Sequence, residues 1–155
     1  MWQPLITLTR SLGFPRAVAV GFPVVLCLAG CGGATDAPER YQVAGTVQFG
    51  DQPVAAGVVQ LIPNAQKGSS GPAGSAEIIN GQFDTSERGT GIVGGSHFVV
   101  INGFDGTGDP NSEMPMGRPV FLGYRTELDF PPVSEVPSGE PFRVEFEVPA
   151  SAAMK

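Results

Sequence analysis

Ala76-Glu77-Ile78-Ile79-Asn80-Gly81-Gln82-Phe83 is the stretch whose reading decides the fold class. Asn-Gly stands between apolar flanks. A two-residue type I′ turn needs φ > 0 at both central positions, which Asn and Gly tolerate best, so the stretch predicts a β-hairpin. On its N-terminal side, Tyr41, Val43, Val47 and Phe49 fall on one face with Gly45 among them, while Gln42, Thr46 and Gln48 fall on the other. That period of two predicts a half-buried strand. Gly50-Asp51-Gln52-Pro53 reads as a turn. Residues 58–62 read as a second, more continuously apolar strand closed by Pro63-Asn64, and residues 64–74, mainly Gly, Ser, Pro and Ala, as a loop.

On the C-terminal side, residues 86–95 carry repeated glycines and a further turn, and residues 96–101 a strand. Residues 102–119, rich in Gly, Asp, Pro and Asn, form the longest loop. Residues 119–124 make a short apolar strand, and residues 125–141, with Pro131-Pro132 and Pro137, are irregular. Phe142, Val144, Phe146 and Val148 then alternate with Arg143, Glu145 and Glu147, a strand with one buried and one solvated face. About seven short strands, no amphipathic helix and no internal repeat predict an all-β sandwich.

Composition agrees. Among 155 residues, 22 Gly and 15 Pro suit frequent turns, and 41% hydrophobic residues are too many for a disordered chain. The net charge is −6. Residues 1–30 contain Arg10 and Arg16 and no acid, so the remainder carries −8. That acidity repels phosphate backbones, and nucleic acid is not expected as a partner.

Arg10 and Arg16 precede or flank an apolar run over residues 17–28, broken by Pro23. A basic stretch, a short apolar stretch and small residues make an export signal, and the run is shorter than the roughly 20 residues a spanning helix needs. It ends in Leu28-Ala29-Gly30-Cys31, which resembles the lipobox of bacterial lipoproteins. The resemblance implies cleavage before Cys31 and a diacylglycerol on its sulfur. Cys27 would leave with residues 1–30, so Cys31 would stand alone as a reactive thiol in an oxidising compartment unless acylated. Several acyl chains bury enough methylene to hold a soluble domain at a bilayer. The expected organisation is a signal peptide (1–30), a lipidated flexible tether (31–40) and one β domain (41–150). Gly32, where these lipoproteins carry an aspartate for inner-membrane retention, points to the outer membrane or the periplasmic face of the envelope.

Val43-Ala44-Gly45-Thr46-Val47, Gly50-Asp51-Gln52-Pro53-Val54 and Ala56-Gly57-Val58-Val59-Gln60-Leu61-Ile62-Pro63 resemble the opening of carboxypeptidase regulatory-like domains, also called transthyretin-like. Ile79-Asn80-Gly81-Gln82-Phe83 resembles their hairpin, and residues 95–101 resemble a later strand. The match covers roughly residues 41–101. It departs in the order Gly50-Asp51-Gln52, in His97 where an aromatic is usual, and in the long loop. The resemblance implies a prealbumin-like, seven-stranded Greek-key sandwich with a non-catalytic accessory role, and it carries over no catalytic or binding residue.

Few residues invite chemistry. His97, the sole histidine, shares a face with Val99 and Ile101, and Ser96 points to the opposite face, so the two do not form a nucleophile–base pair. Gly103, Gly106 and Gly108 open no helix and make no phosphate cradle. Asp105, Thr107, Asp109, Asn111 and Glu113 place oxygens at alternate positions, as calcium loops do, but Pro110 stands where glycine is needed and Met116 where the bidentate glutamate is needed. Asp105, Asp109, Asn111 and Glu113 are weak metal candidates, and no cofactor is expected. Residues 119–125 are either a core strand or an apolar partner-binding edge. The expectation is an anchored, non-catalytic domain with a binding or structural role in the envelope, acting through loops or a sheet edge on an envelope protein or a glycan, with a carbohydrate- or calcium-binding module as the alternative. A hydrolase on the same scaffold is the rival. A glycan module would want exposed aromatics, and only Trp2, Tyr41 and Tyr124 are amphipathic aromatics here.

Overall fold

A computed structural model describes residues 38–154. In chain order they form β1 (Val43–Phe49), β2 (Gln52–Pro53), β3 (Ala56–Pro63), β4 (Gly74–Ile79), β5 (Gln82–Asp84), α1 (Thr85–Arg88), β6 (Gly89–Thr90), β7 (Gly95–Phe104), β8 (Pro119–Phe130) and β9 (Phe142–Val148). Three 3-10 turns, Ala65–Lys67, Val133–Glu135 and Ala150–Ala152, punctuate the connections. The fold is all-β.

The Asn80-Gly81 turn takes φ of 51° and 75°, both in the left-handed region the sequence predicts, and it brings Ile79 opposite Gln82. From this hairpin the sheet extends both ways in the order β2-β1-β5-β4-β3-β7-β8, with β6 beside β4 and β9 beside β1. Every pairing is antiparallel except β1 with β9, which run parallel from Val43↔Phe142 to Phe49↔Val148. Gly45 makes that parallel pairing possible, because a Cβ there would lie 1.9 Å from the Val144 carbonyl oxygen.

The sheet curls until its far ends meet. Phe49 of β1 stacks on Phe121 of β8 at 5.1 Å, and Phe130 of β8 meets Phe142 of β9 edge-on at 6.0 Å. The inner face carries the alternate residues: Val43 and Val47 of β1, Val59 and Leu61 of β3, Ile78 of β4, Val99 and Ile101 of β7, and Phe146 and Val148 of β9, all buried. Each such side chain contributes roughly 1.5–3 kcal/mol of burial.

Three sequence expectations need correction. Residues 125–130 are strand, not irregular: β8 runs on to Phe130, and Pro131 ends it. The physical reason is β7, whose ten residues offer a partner along that length, from Ile101↔Tyr124 to Gly95↔Phe130. The second strand is less continuously buried than its composition suggests. Val59 and Leu61 point inward while Gln60 and Ile62 are exposed. One helical turn, α1, stands among the glycines, because Asp84 Oδ1 accepts from Ser86 N at 2.7 Å and caps it.

Candidate functional site

Cys31 and the lipobox residues Leu28, Ala29 and Gly30 lie outside the described residues. The chain enters the sheet at Tyr41, which bridges Ile92 through reciprocal backbone hydrogen bonds of 3.0 Å. The Tyr41 hydroxyl donates to Pro131 O at 2.8 Å, and burial pushes its pKa up to about 12. Beside it the buried Thr85 hydroxyl accepts from Val43 N at 2.9 Å and donates to Gln42 Oε1 at 2.7 Å, fastening α1 to β1. Tyr41 is thus a structural anchor at the entry, not an exposed stacking surface.

The weak metal candidates lie in the β7–β8 connection, where one carboxylate oxygen each of Asp105 and Asp109 shapes the loop. Asp105 Oδ1 accepts from Thr107 N at 3.0 Å, Thr107 Oγ1 at 2.7 Å and Arg118 N at 3.0 Å. These bonds, first the Thr107 amide and then its hydroxyl, hold the carboxyl below the usual range. Asp109 Oδ1 accepts from Asn111 N at 2.8 Å in an Asx turn, and Asp109 O accepts from Ser112 N at 2.9 Å. Glu113 is exposed. Among the described residues no three His, Cys, Asp or Glu side chains come together as a metal-binding group.

His97 lies on the inner face with Val99 and Ile101, fully buried, as its strand parity predicts. Its Nδ1 lies 2.9 Å from Gly95 O, its ring meets Phe130 edge-on at 5.3 Å, and Nε2 has no hydrogen-bond partner among the described residues. The apolar stretch at the start of β8 divides. Phe121 is core, Leu122 is half exposed at a bulge opposite Asn102, and Arg125 lies 3.6 Å over the Phe98 ring.

Two features were invisible in the sequence. The first is a polar cluster in which Glu127 Oε1 accepts from Asn64 Nδ2 at 2.9 Å and Ser96 Oγ at 2.8 Å and stands 2.7 Å from Lys67 Nζ. Asn64 also caps the 3-10 turn that presents Lys67. Lys67, then Ser96 and Asn64, hold the Glu127 carboxyl down at about 2. A carboxylate so acidic is a weak base at neutral pH, so its role here is to clasp the loop after β3 onto β8 rather than to deprotonate Ser96. Asn64 after Pro63 is a cap signal, but nothing local ties it to a residue on β8.

The second is a concavity of about 1010 Å³ on the outer face of β9, β1, β5 and β4, closed at one side by α1. Thr46, Gln82, Glu77, Arg88, Arg143 and Glu145 line it, a mixed polar surface without an exposed aromatic side chain. A smaller apolar cavity of about 140 Å³ lies at the end of the sheet where β7 stops and β8 starts.

Compared with known protein families, curated proteins and solved structures, the chain matches none of them.

Proposed function

We propose that this chain is a lipid-anchored envelope protein whose β domain has a non-catalytic, binding or structural role. The observation that carries the reading is Leu28-Ala29-Gly30-Cys31 at the end of an apolar run, ten residues ahead of the first sheet bridge at Tyr41. Acylation would make Cys31 the attachment point and leave residues 32–40, which have no apolar periodicity, as a short tether. The carboxylates with displaced pKa, Asp105 and Glu127, are both lowered, the direction opposite to a general acid or base working near neutral pH. Their hydrogen bonds order loops, which suits a domain that presents a fixed surface.

The domain is read as the prealbumin-like, seven-stranded Greek key of carboxypeptidase regulatory-like modules. Supporting this, the strands longer than two residues lie in the order β9-β1-β5-β4-β3-β7-β8, with the chain's first and last strands, β1 and β9, parallel neighbours.

The test is Cys31→Ser in a bacterial host with the lipoprotein pathway. The variant is expected to leave the membrane fraction or to accumulate with residues 1–30 uncleaved. A variant that matures and sediments with membranes like the parent would overturn the anchor.

A further inference from the structure

We propose that the end of the domain opposite the chain's entry is a docking surface for a protein segment that offers one apolar side chain flanked by basic residues. The proposal rests on the reading of the domain as an anchored binding module, and it names that module's surface and partner chemistry.

The two ends are set by the strands. The chain enters at Tyr41, beside Pro131 at the end of β8 and Phe142 at the start of β9. At the other end lie the close of β1, the Gly50-Asp51 turn, the β7–β8 connection and the last residues, where Met154 N donates to Val120 O at 2.9 Å. The described chain therefore enters the sheet at the end opposite this one.

Its centre is the apolar cavity of about 140 Å³, lined by Phe49, Val54, Ala55, Phe104, Val120 and Phe121. The stacked rings of Phe49 and Phe121 form part of its lining, and the exposed Pro53 and Ala55 mark where it reaches solvent. An apolar cavity of roughly 150 Å³ accepts a benzene-sized group, so this one fits a single leucine, methionine or phenylalanine side chain. The same end of the domain carries further exposed apolar residues, none of which lines the cavity itself. Of the five large hydrophobics that are exposed among the described residues, Met114, Leu122 and Met154 are here, at 51%, 50% and 54% exposure. An apolar pocket that takes one side chain, with exposed apolar residues at the same end of the domain, gives a protein partner an anchor point.

Charge chooses the partner. Asp51, Asp105, Asp109 and Glu113 belong to this end, against Arg118. Asp105 is tied to the backbone of its own loop, and Asp51, Asp109 and Glu113 are exposed. An acidic rim draws in basic residues and repels both an anionic head-group layer and a second copy of the same end.

The test is heptapeptide phage display on the full chain, made by membrane-free cell-free synthesis so that residues 1–30 stay in place, and held through an N-terminal tag, followed by fluorescence polarisation with the enriched peptide. The expected peptides carry one large apolar residue beside two or more Lys or Arg. Ala55→Trp, at an exposed position, should fill the mouth of the cavity and weaken binding by about tenfold, the loss of roughly 1.4 kcal/mol. Leu122→Glu, also exposed, should weaken it independently, and raising the salt should weaken it further. Melting temperatures near the parent's would show both variants folded. Failure to enrich any peptide, enrichment of acidic peptides, or binding indifferent to both substitutions overturns the proposal. So does peptide-free binding to phosphatidylcholine vesicles that Leu122→Glu abolishes, which would assign the surface to lipid. None of these outcomes depends on Cys31, whose fractionation assay decides the anchor separately.

Discussion

Lys67 Nζ stands 2.7 Å from Glu127 Oε1, and the same oxygen receives Asn64 Nδ2 and Ser96 Oγ. Three donors on one oxygen join the loop after β3, the start of β7 and the middle of β8. The Glu127 carboxyl is thereby lowered from 4.5 to about 2. A carboxyl depressed by folding stabilises the fold fully above its unfolded value, and that contribution is lost as pH falls through its folded value. Glu127→Gln is therefore expected to melt a few degrees below the parent at pH 7, with the gap closing between pH 4.5 and about 2. Thermal melts of both proteins across that window check it. A gap that stays constant with pH would show that the cluster acts through packing alone.

Gly45, like Gly89, sits at one of the tightest backbone contacts in the sheet. A Cβ there would meet Val144 O at 1.9 Å and a Phe83 ring carbon at 3.0 Å. Neither can yield without parting β1 from β9 or disturbing the stacked Phe83 and Phe146 rings, 6.0 Å apart. Gly45→Val should cost at least about 1–3 kcal/mol, the usual range for overpacking. Hydrogen exchange should localise the damage, with the amides of β9 opening well before those of β3 and β7.

Much of the sheet was legible because its signals are local. The Asn80-Gly81 turn, the alternation in β1 and the Phe142–Val148 strand each declare themselves within a few residues. Residues 125–130 did not, since polar residues that gain a strand partner only from distant β7 look like loop in isolation. The Glu127 cluster was hidden for the same reason: Asn64 and Lys67 are some sixty residues away along the chain. The 140 Å³ cavity is more hidden still, because it arises where β1, the turn after it, β7 and β8 converge. His97 was legible by parity, but its missing Nε2 partner was not.

That missing partner sets a further expectation. A buried polar atom without a hydrogen bond costs about 1–3 kcal/mol, and the bond between Nδ1 and Gly95 O returns about 1 kcal/mol. His97→Phe keeps the ring against Phe130 and removes both effects. It should leave the urea midpoint unchanged or raise it, while His97→Asp, which buries a charge without a partner, should abolish cooperative unfolding. A clear fall in stability for His97→Phe would mean that Nε2 has a role inside the domain that packing does not explain.

The β7–β8 connection offers the last contrast. Asp105 closes it by accepting from Thr107 and from Arg118, thirteen residues on. Because the loop is exposed and the bonds are local to it, Asp105→Ala should free the connection without unfolding the sheet. The amides of Thr107 and Arg118 should exchange faster, while the melting temperature stays near that of the parent. Asp105 and Asp109 are also among the oxygen-bearing residues that a calcium ion on this loop would use. Because no three carboxylates come together here among the described residues, millimolar calcium is expected to leave the parent's melting temperature unchanged. A calcium-dependent rise that Asp105→Ala removes would return the loop to the class of cation sites. It would also change what the neighbouring apolar cavity is there to recognise, since a bound cation would cancel much of the acidic rim that selects a basic partner.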